Sequence, residues 1–407
     1  MKRTLIKDLK NFIGSEAYLE GFIKNIREFK QFRFLFVQDR SNTSQVVLPN
    51  EVYPQRIGYE DVVGIKGLVI DQPKSKHGGL EVLAKSIDFL SRGKEGSCFN
   101  PKDEPDLNIE TMLDKRASSL RLDNNQTIFL TQSIIIGSLS RYLYENGFVE
   151  VKTPKIITSA LEGGANLFEV NYFGKSAYLS QSPQLYHQML MASFERVFEI
   201  GPCFRAEDYA TSRHINEFTS LDAQMGFIKD HYEIMNLLES TLSSIQDLQL
   251  NVPESIPQIS YKEAIKVINK DNGIKLSGED KRVLGDVARE KYSSDFLFIY
   301  GFPKEITNFY VMPDEEDQTR SFKLVYKGQE ICTGGQRIND YNQLLNSMTQ
   351  KGINPDEFKD YLEAFKCGIP PHGGFCIGLN RLTSLILGLD NVKRAVLFPR
   401  DTKRLTP

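Results

Sequence analysis

Cysteine is scarce in this 407-residue chain, and the five that occur (Cys98, Cys203, Cys332, Cys367 and Cys376) lie far apart with no C-x-x-C pair. That spacing speaks against a structural zinc site and against a disulfide framework, so reduced cysteines in the core or near a site are expected. No stretch of about 18 consecutive apolar residues occurs and the N-terminus has no signal-peptide core, so a soluble, cytoplasmic protein with no membrane attachment is expected. There is no low-complexity tract, no internal repeat and no G-x-x-x-x-G-K-[ST] phosphate loop. The formal charge is only −3, little for a nucleic-acid binder, but it is unevenly spread. Residues 1–92 carry 15 Lys and Arg against 11 Asp and Glu, net +4, which leaves about −7 for the remainder. A basic N-terminal module is what a nucleic-acid backbone needs.

The length exceeds one ordinary domain and predicts at least two. Alternating apolar residues over 17–26, 32–37, 46–48, 62–70 and 80–83, with Gly, Pro and Asn turns between them, predict a small all-β barrel of the OB-fold type over residues 1–92. Periodicity is lost over residues 93–125, where Pro101, Asp103, Glu104, Pro105 and Asp106 mark a polar linker. From residue 126 to 407 strands alternate with helices such as 231–247. This predicts an α+β domain with an antiparallel sheet flanked by helices rather than a Rossmann fold.

Two predicted strands, residues 197–200 and 218–227, bracket a charged hairpin loop: Phe204-Arg205-Ala206-Glu207, then Thr211-Ser212-Arg213-His214, then Asn216-Glu217-Phe218. The residue types suit ATP. Arg205 can give paired N–H donors to a phosphate, a geometry lysine does not match. Glu207 can accept from an adenine amino group, Phe218 offers a ring for stacking, and Arg213 and His214 can reach outer phosphates. A solvated hairpin whose charges pair with one another is the other reading of the same residues.

This loop resembles the nucleotide-binding loop of class II aminoacyl-tRNA synthetases, and two further signatures occur in that family's order. Residues 126–144 form a long amphipathic segment followed by Gly147-Phe148-Val149-Glu150-Val151-Lys152-Thr153-Pro154, which in the family builds a dimer interface and so implies a homodimer. Near the C-terminus, Gly373-Gly374-Phe375-Cys376-Ile377-Gly378-Leu379-Asn380-Arg381 resembles the third signature, a strand running into a helix with a nucleotide-facing arginine. Its glycines let a nucleotide approach the backbone. Gln181-Ser182-Pro183-Gln184, Glu162-Gly163-Gly164, Thr333-Gly334-Gly335-Gln336-Arg337, Met312-Pro313-Asp314-Glu315 and the ending Leu397-Phe398-Pro399-Arg400-Asp401 narrow the likeness. They resemble the aspartyl/asparaginyl subgroup, closest to archaeal-type aspartyl-tRNA synthetases, across essentially the whole chain.

The resemblance implies ATP-dependent activation of aspartate, with transfer to tRNA-Asp and the charging of tRNA-Asn left open. It assigns the α-phosphate to Arg205, adenine to Glu207 and Phe218, and the purine and outer phosphates to Arg213, His214 and Arg381. It assigns Mg²⁺ to Glu330, the substrate side-chain carboxylate to Arg337, and the amino-acid end to Gln184 and Asp222. Glu162 belongs to a mobile loop closing over that end. In the barrel it assigns the anticodon to Phe34, by stacking, and to Gln45; alternation alone places Phe34 in the core. Lys74 and Lys76 either touch the anticodon or keep a loop soluble.

Four positions depart from the family pattern. His187 stands where a lysine usually contacts the substrate carboxylate, Lys323 where a second acid shares the Mg²⁺, Gln224 for a glutamate, and Asn380 for the glutamate before Arg381. These changes keep two alternatives open: a paralog that activates another amino acid such as asparagine or an analogue, and a tRNA-binding regulator without catalysis.

Overall fold

The computed structural model describes the chain except residues 54, 60, 76–77, 95–98, 100–106, 159–166, 210, 249 and 272–274. Glu162, Lys76 and Cys98 therefore lie outside the described residues. The chain divides into two compact units, Met1–Asp123 and Asn124–Pro407.

In the first unit, strands β1 (Glu16–Glu28), β2 (Phe32–Gln38), β3 (Thr43–Pro49), β4 (Val62–Asp71) and β5 (Leu80–Ser91) close into a barrel in the order β1-β2-β3-β5-β4. Alternation builds it: Leu19, Ile23, Leu35, Val37, Val46, Leu48, Ile65 and Val82 point inward to a common core. β5 runs well past the residues 80–83 expected from the sequence, because its second half is half-exposed and lacks clean alternation. The stretch expected as linker contributes two short helices to this unit, α1 (Ile109–Asp114) and α2 (Arg116–Ser119), the first capped by the Asn108 side chain.

The second unit begins with α3 (Asp123–Glu145), β6 (Val149–Glu150) and a small sheet of β7 (Ile156–Ile157), β8 (Glu169–Tyr172) and β9 (Lys175–Leu179) in the order β7-β9-β8. It continues with α4 (Gln184–Phe194), β10 (Arg196–Phe204), β11 (Glu217–Gly226), α5 (His231–Ser243), β12 (Gln258–Ser260), α6 (Tyr261–Val267) and α7 (Gly278–Tyr292). Then follow β13 (Phe296–Tyr300), β14 (Ser321–Tyr326), β15 (Gln329–Arg337), α8 (Tyr341–Gln350), α9 (Lys359–Lys366), β16 (His372–Gly378) and α10 (Leu379–Ile386). Eight strands form one sheet in the order β12-β13-β14-β15-β16-β11-β10-β6. Its interior is antiparallel as expected, while the terminal pairs β12–β13 and β10–β6 are parallel.

The two faces of this sheet differ. On one, Phe198, Leu221, Ala223, Phe375, Ile377, Leu324 and Cys332 join α3 (Ile135, Leu139) and α5 (Ile234, Leu238) in the main core. On the other, Val197 packs with Leu185 and Met191 of α4 at one end. At the far end Leu297, Ile299 and Val325 pack with Leu284 and Ala288 of α7. Between these two clusters the middle strands are free to carry polar side chains.

A bulge interrupts the β14–β15 ladder. Leu324 lies opposite Cys332 but Val325 lies opposite Glu330, so Ile331 is skipped. Strict alternation would send Glu330 to the apolar face with the core; the extra residue brings it to the polar face instead.

Helix α7 approaches the β14–β15 turn at a glycine pair. A Cβ at Gly285 would lie 2.6 Å from the Gly328 Cα and 2.7 Å from its nitrogen, and Gly328 itself has φ +72°. Gly285→Ala is therefore expected to destabilise the protein by about 1–3 kcal/mol through backbone displacement, although alanine is the better helix former by about 1 kcal/mol. Urea denaturation measures the difference; a stabilised variant would show that α7 slides freely over the turn.

Candidate active site

The hairpin expected from the sequence is present. β10 and β11 pair from Arg196↔Met225 to Phe204↔Glu217, and the loop between them is tied across its neck. Asn216 Nδ2 donates to the carbonyls of Arg205 (2.7 Å) and Glu207 (2.9 Å), and the Arg205 N–H donates to the Asn216 carbonyl. β16 pairs with β11 and runs directly into α10, which presents Arg381 beside the loop.

A cavity of about 260 Å³ opens here, and Arg205, Glu207, Arg213, His214, Phe218, Glu330 and Arg381 all line it. These are the seven residues assigned to ATP from the sequence. The Arg205 guanidinium lies 5.3 Å from the Phe218 ring centroid. Arg381 is fixed by donating to the Glu330 carbonyl at 2.8 Å. Among the described residues neither Arg205 nor Arg213 forms an ion pair, so neither loop cation is neutralised by a carboxylate of the loop. Burial lowers the His214 pKa.

Lys281, which the sequence did not single out, also lines the cavity. Its ammonium is 2.7 Å from Glu330 Oε2, and Lys323 reaches the same oxygen at 3.0 Å. Burial pushes the Glu330 carboxyl up, but the two ammonium groups outweigh it and hold it down at about 2. A divalent cation held by Glu330 does not fit this arrangement. Protonated lysines cannot ligate, and the described residues contain no group of three or more His, Cys, Asp or Glu side chains able to share a metal.

Next to the cavity floor is a buried polar network. Arg337 donates to Gln184 Oε1 (3.0 Å), and Gln184 Nε2 donates to Gln224 Oε1 (3.1 Å). Asp222 accepts from the Ser220 hydroxyl, while its Oδ1 and the Gln224 Nε2 have no hydrogen-bond partner. Burial raises the Asp222 pKa. Gln184, Asp222 and Arg337, expected around the amino acid, are thus gathered in one place. His187 lies one turn further along α4, with Nε2 3.6 Å from Glu199 Oε2. Glu199 in turn holds Lys155 at 2.8 Å and accepts from the Thr153 hydroxyl at 2.7 Å.

Further sequence readings need correction. Gly374 does not make space for a nucleotide: a Cβ there would meet Gln224 Oε1 at 2.1 Å, so its absence makes room for that side chain. Cys367 is exposed on the surface, whereas Cys203 and Cys332 are buried and Cys376 is half-buried at the cavity. Asn380 serves as a brace, accepting from the Thr219 N–H (2.7 Å) and donating to the Ala395 carbonyl (2.9 Å), a pairing that an ionised glutamate could not reproduce.

In the first unit, Phe34 and Gln45 occupy the outer face of the barrel rather than its core. Phe34 lies opposite Val47 and Gln45 opposite Phe36, on the strand face turned away from Leu35 and Val46. Phe34 meets Phe29 and Phe32 edge-on at 5.3 and 5.1 Å, and Phe29 is 48% exposed. The alternation-based placement of Phe34 in the core is therefore wrong. Gln45 donates to Glu81 Oε1 at 2.7 Å.

The family model for class II tRNA synthetases (D, K and N) matches residues 108–402. The aspartate–tRNA(Asp/Asn) ligase of Thermus thermophilus is 41% identical over 100% of both chains, and the aspartate–tRNA(Asp) ligase of Picrophilus torridus is 41% identical over 100% of both. Among solved structures, asparaginyl-tRNA synthetase from Pyrococcus horikoshii complexed with asparaginyl-adenylate superposes with a TM-score of 0.92 at 29% identity, over 100% of both chains.

Burial raises the Glu199 carboxyl, but His187, Lys155 and Thr153 together outweigh it and hold it down from 4.5 to about 2. A folded-state value below the unfolded one stabilises the protein above the unfolded value, and that stabilisation is lost as pH falls towards the folded value. Glu199→Gln is expected to destabilise by about 3–5 kcal/mol at neutral pH, because Lys155 is left without its carboxylate. The gap to wild type should narrow between about pH 4.5 and pH 2. Urea midpoints across that range measure it, and a pH-independent gap would mean that Glu199 is not ionised in the fold.

Proposed function

We propose, for a chain that belongs to the class II tRNA synthetases (D, K and N), that it is an aspartate–tRNA ligase using ATP. The observation that carries the reading is the meeting of Arg205, Glu207, Phe218 and Arg381 on one cavity beside the buried Arg337–Gln184 pair. In the first step an aspartate carboxylate oxygen bonds to the α-phosphorus while the bond to the β-phosphate oxygen breaks, and pyrophosphate leaves with the electron pair. In the second a terminal ribose hydroxyl attacks the carbonyl carbon, loses its proton and displaces AMP. Neither step needs a protein nucleophile; positioning and charge stabilisation suffice.

Arg205 forks onto the α-phosphate, Glu207 and Phe218 hold adenine, and Arg213, His214 and Arg381 take the purine edge and the outer phosphates. Arg337 pairs with the substrate side-chain carboxylate. Asp222 and Gln184 hold the amino-acid end, with His187 behind them against Glu199, and Glu162 stands by the family resemblance alone. Phe34 and Gln45 meet the anticodon, which the basic first unit draws in. Leu130 and Ile134 of α3, 65% and 40% exposed, suit burial against a second copy of the chain, so the active form is a homodimer. The absence, among the described residues, of a helix able to cross a membrane agrees with work in the cytoplasm.

Gln224 and Lys323 favour one second reading, activation of asparagine or an analogue, since each removes negative charge beside the substrate groups. Pyrophosphate exchange with a panel of amino acids separates the readings: aspartate supports the ligase, another amino acid the paralog, and none a regulator. Arg205→Lys is expected to lower adenylate formation about a hundredfold, since one ammonium cannot reproduce a planar fork; wild-type exchange would remove Arg205 from the site. Phe34→Ala should weaken tRNA binding by about 1–3 kcal/mol and leave exchange without tRNA unchanged. Equal loss in both assays would mean that Phe34 only supports the barrel.

A further inference from the structure

The Lys281–Glu330–Lys323 cluster does something that neither the loop nor the amino-acid network explains. Three elements deliver it: α7 carries Lys281, β14 carries Lys323, and the β14–β15 bulge turns Glu330 between them. Both ammonium groups share one carboxylate oxygen, so Glu330 holds them side by side. An ammonium has three N–H donors. Each lysine therefore spends one on Glu330 and keeps two for another acceptor.

The surroundings identify the acceptor by charge. Arg205, Arg213, Lys281 and Arg381 line the cavity against Glu207 and Glu330, leaving it net positive, and Lys323, outside the lining, adjoins it through the Glu330 oxygen it shares with Lys281. The start of α7 points at the same place: a Cβ on Gly278, its first residue, would lie 3.0 Å from the Arg213 Nη1.

We infer that Lys281 and Lys323, held as a pair by Glu330, form the subsite for the outer phosphates of ATP and take the place of a protein-ligated divalent cation. This rests on the assignment of the cavity to ATP. Glu330 is then a positioning residue that sets the spacing of two cations, and the charge a metal would supply is built into the chain. During adenylate formation the pair neutralises the leaving pyrophosphate.

The test is ATP binding by calorimetry with excess EDTA and with Mg²⁺, alongside AMP, which lacks the outer phosphates. Wild-type protein is expected to bind ATP in EDTA within about threefold of its affinity with Mg²⁺, and the Lys281→Ala/Lys323→Ala double variant to lose about tenfold or more in EDTA while binding AMP normally. Unchanged AMP binding also reports that the variant is folded. Titration with Mn²⁺ alone, followed by electron paramagnetic resonance, is expected to show no stoichiometric site on the nucleotide-free protein. A stoichiometric Mn²⁺ site abolished by Glu330→Gln would overturn the inference, as would ATP binding that is lost in EDTA and restored by Mg²⁺. Either result leaves the ligase assignment standing. ATP binding under neither condition would remove both.

Discussion

One row of antiparallel pairs across the large sheet is the constraint on which the second unit depends. Glu199 lies opposite Asp222, Asp222 opposite Cys376, Cys376 opposite Thr333, and Thr333 opposite Lys323. Residues directly opposite in such a ladder share a face. Five strands therefore present their polar side chains on one side, and the residues before and after each of them fall on the other side, where Phe198, Leu221, Ala223, Phe375, Ile377 and Leu324 make the core. Site and core are the two sides of one register. A slip by a single residue in any of these strands would exchange them.

The acids on this polar face are treated differently. Glu199 is neutralised by Lys155, and Glu330 by Lys281 and Lys323. Asp222, also buried, has the Ser220 hydroxyl on one oxygen, no hydrogen bond on the other, and no ion pair to a lysine or arginine among the described residues. Burying an ionised carboxylate this way is costly. A bound cationic group offsets that cost, which makes Asp222 the natural partner for the amino group of a substrate under the proposed assignment.

The strands and the hairpin were legible in the sequence because alternation and turn residues are local. Residues 197–200 and 218–227 bracket the loop; the five loop residues expected at a nucleotide follow from its composition and Arg381 from the strand-to-helix signature, whereas Glu330 is expected from the family resemblance alone. What was illegible depends on register and on contacts between distant elements. Lys281 sits in a helix whose charges look like an ordinary solvated face, and nothing within α7 says that Glu330 lies beside it. Phe34 was misplaced by alternation alone because both faces of β2 carry aromatic and aliphatic residues: Leu35 and Val37 inside, Phe32, Phe34 and Phe36 outside. Gly374 was misjudged because a glycine opposite a long side chain and a glycine opposite a ligand look alike in one dimension.

The skipped residue in β15 bears on how chain length and geometry are related. Thr333 and Glu330 face the same way although three positions separate them, because Ile331 stands outside the ladder. Removing Ile331 would leave a regular strand with Glu330 still opposite Val325, at the expense of apolar volume in the core. A chain one residue shorter here would present the same carboxylate to the same lysine. Aligned position by position it would show a gap within the segment that carries the site, and the gap would correspond to no missing function.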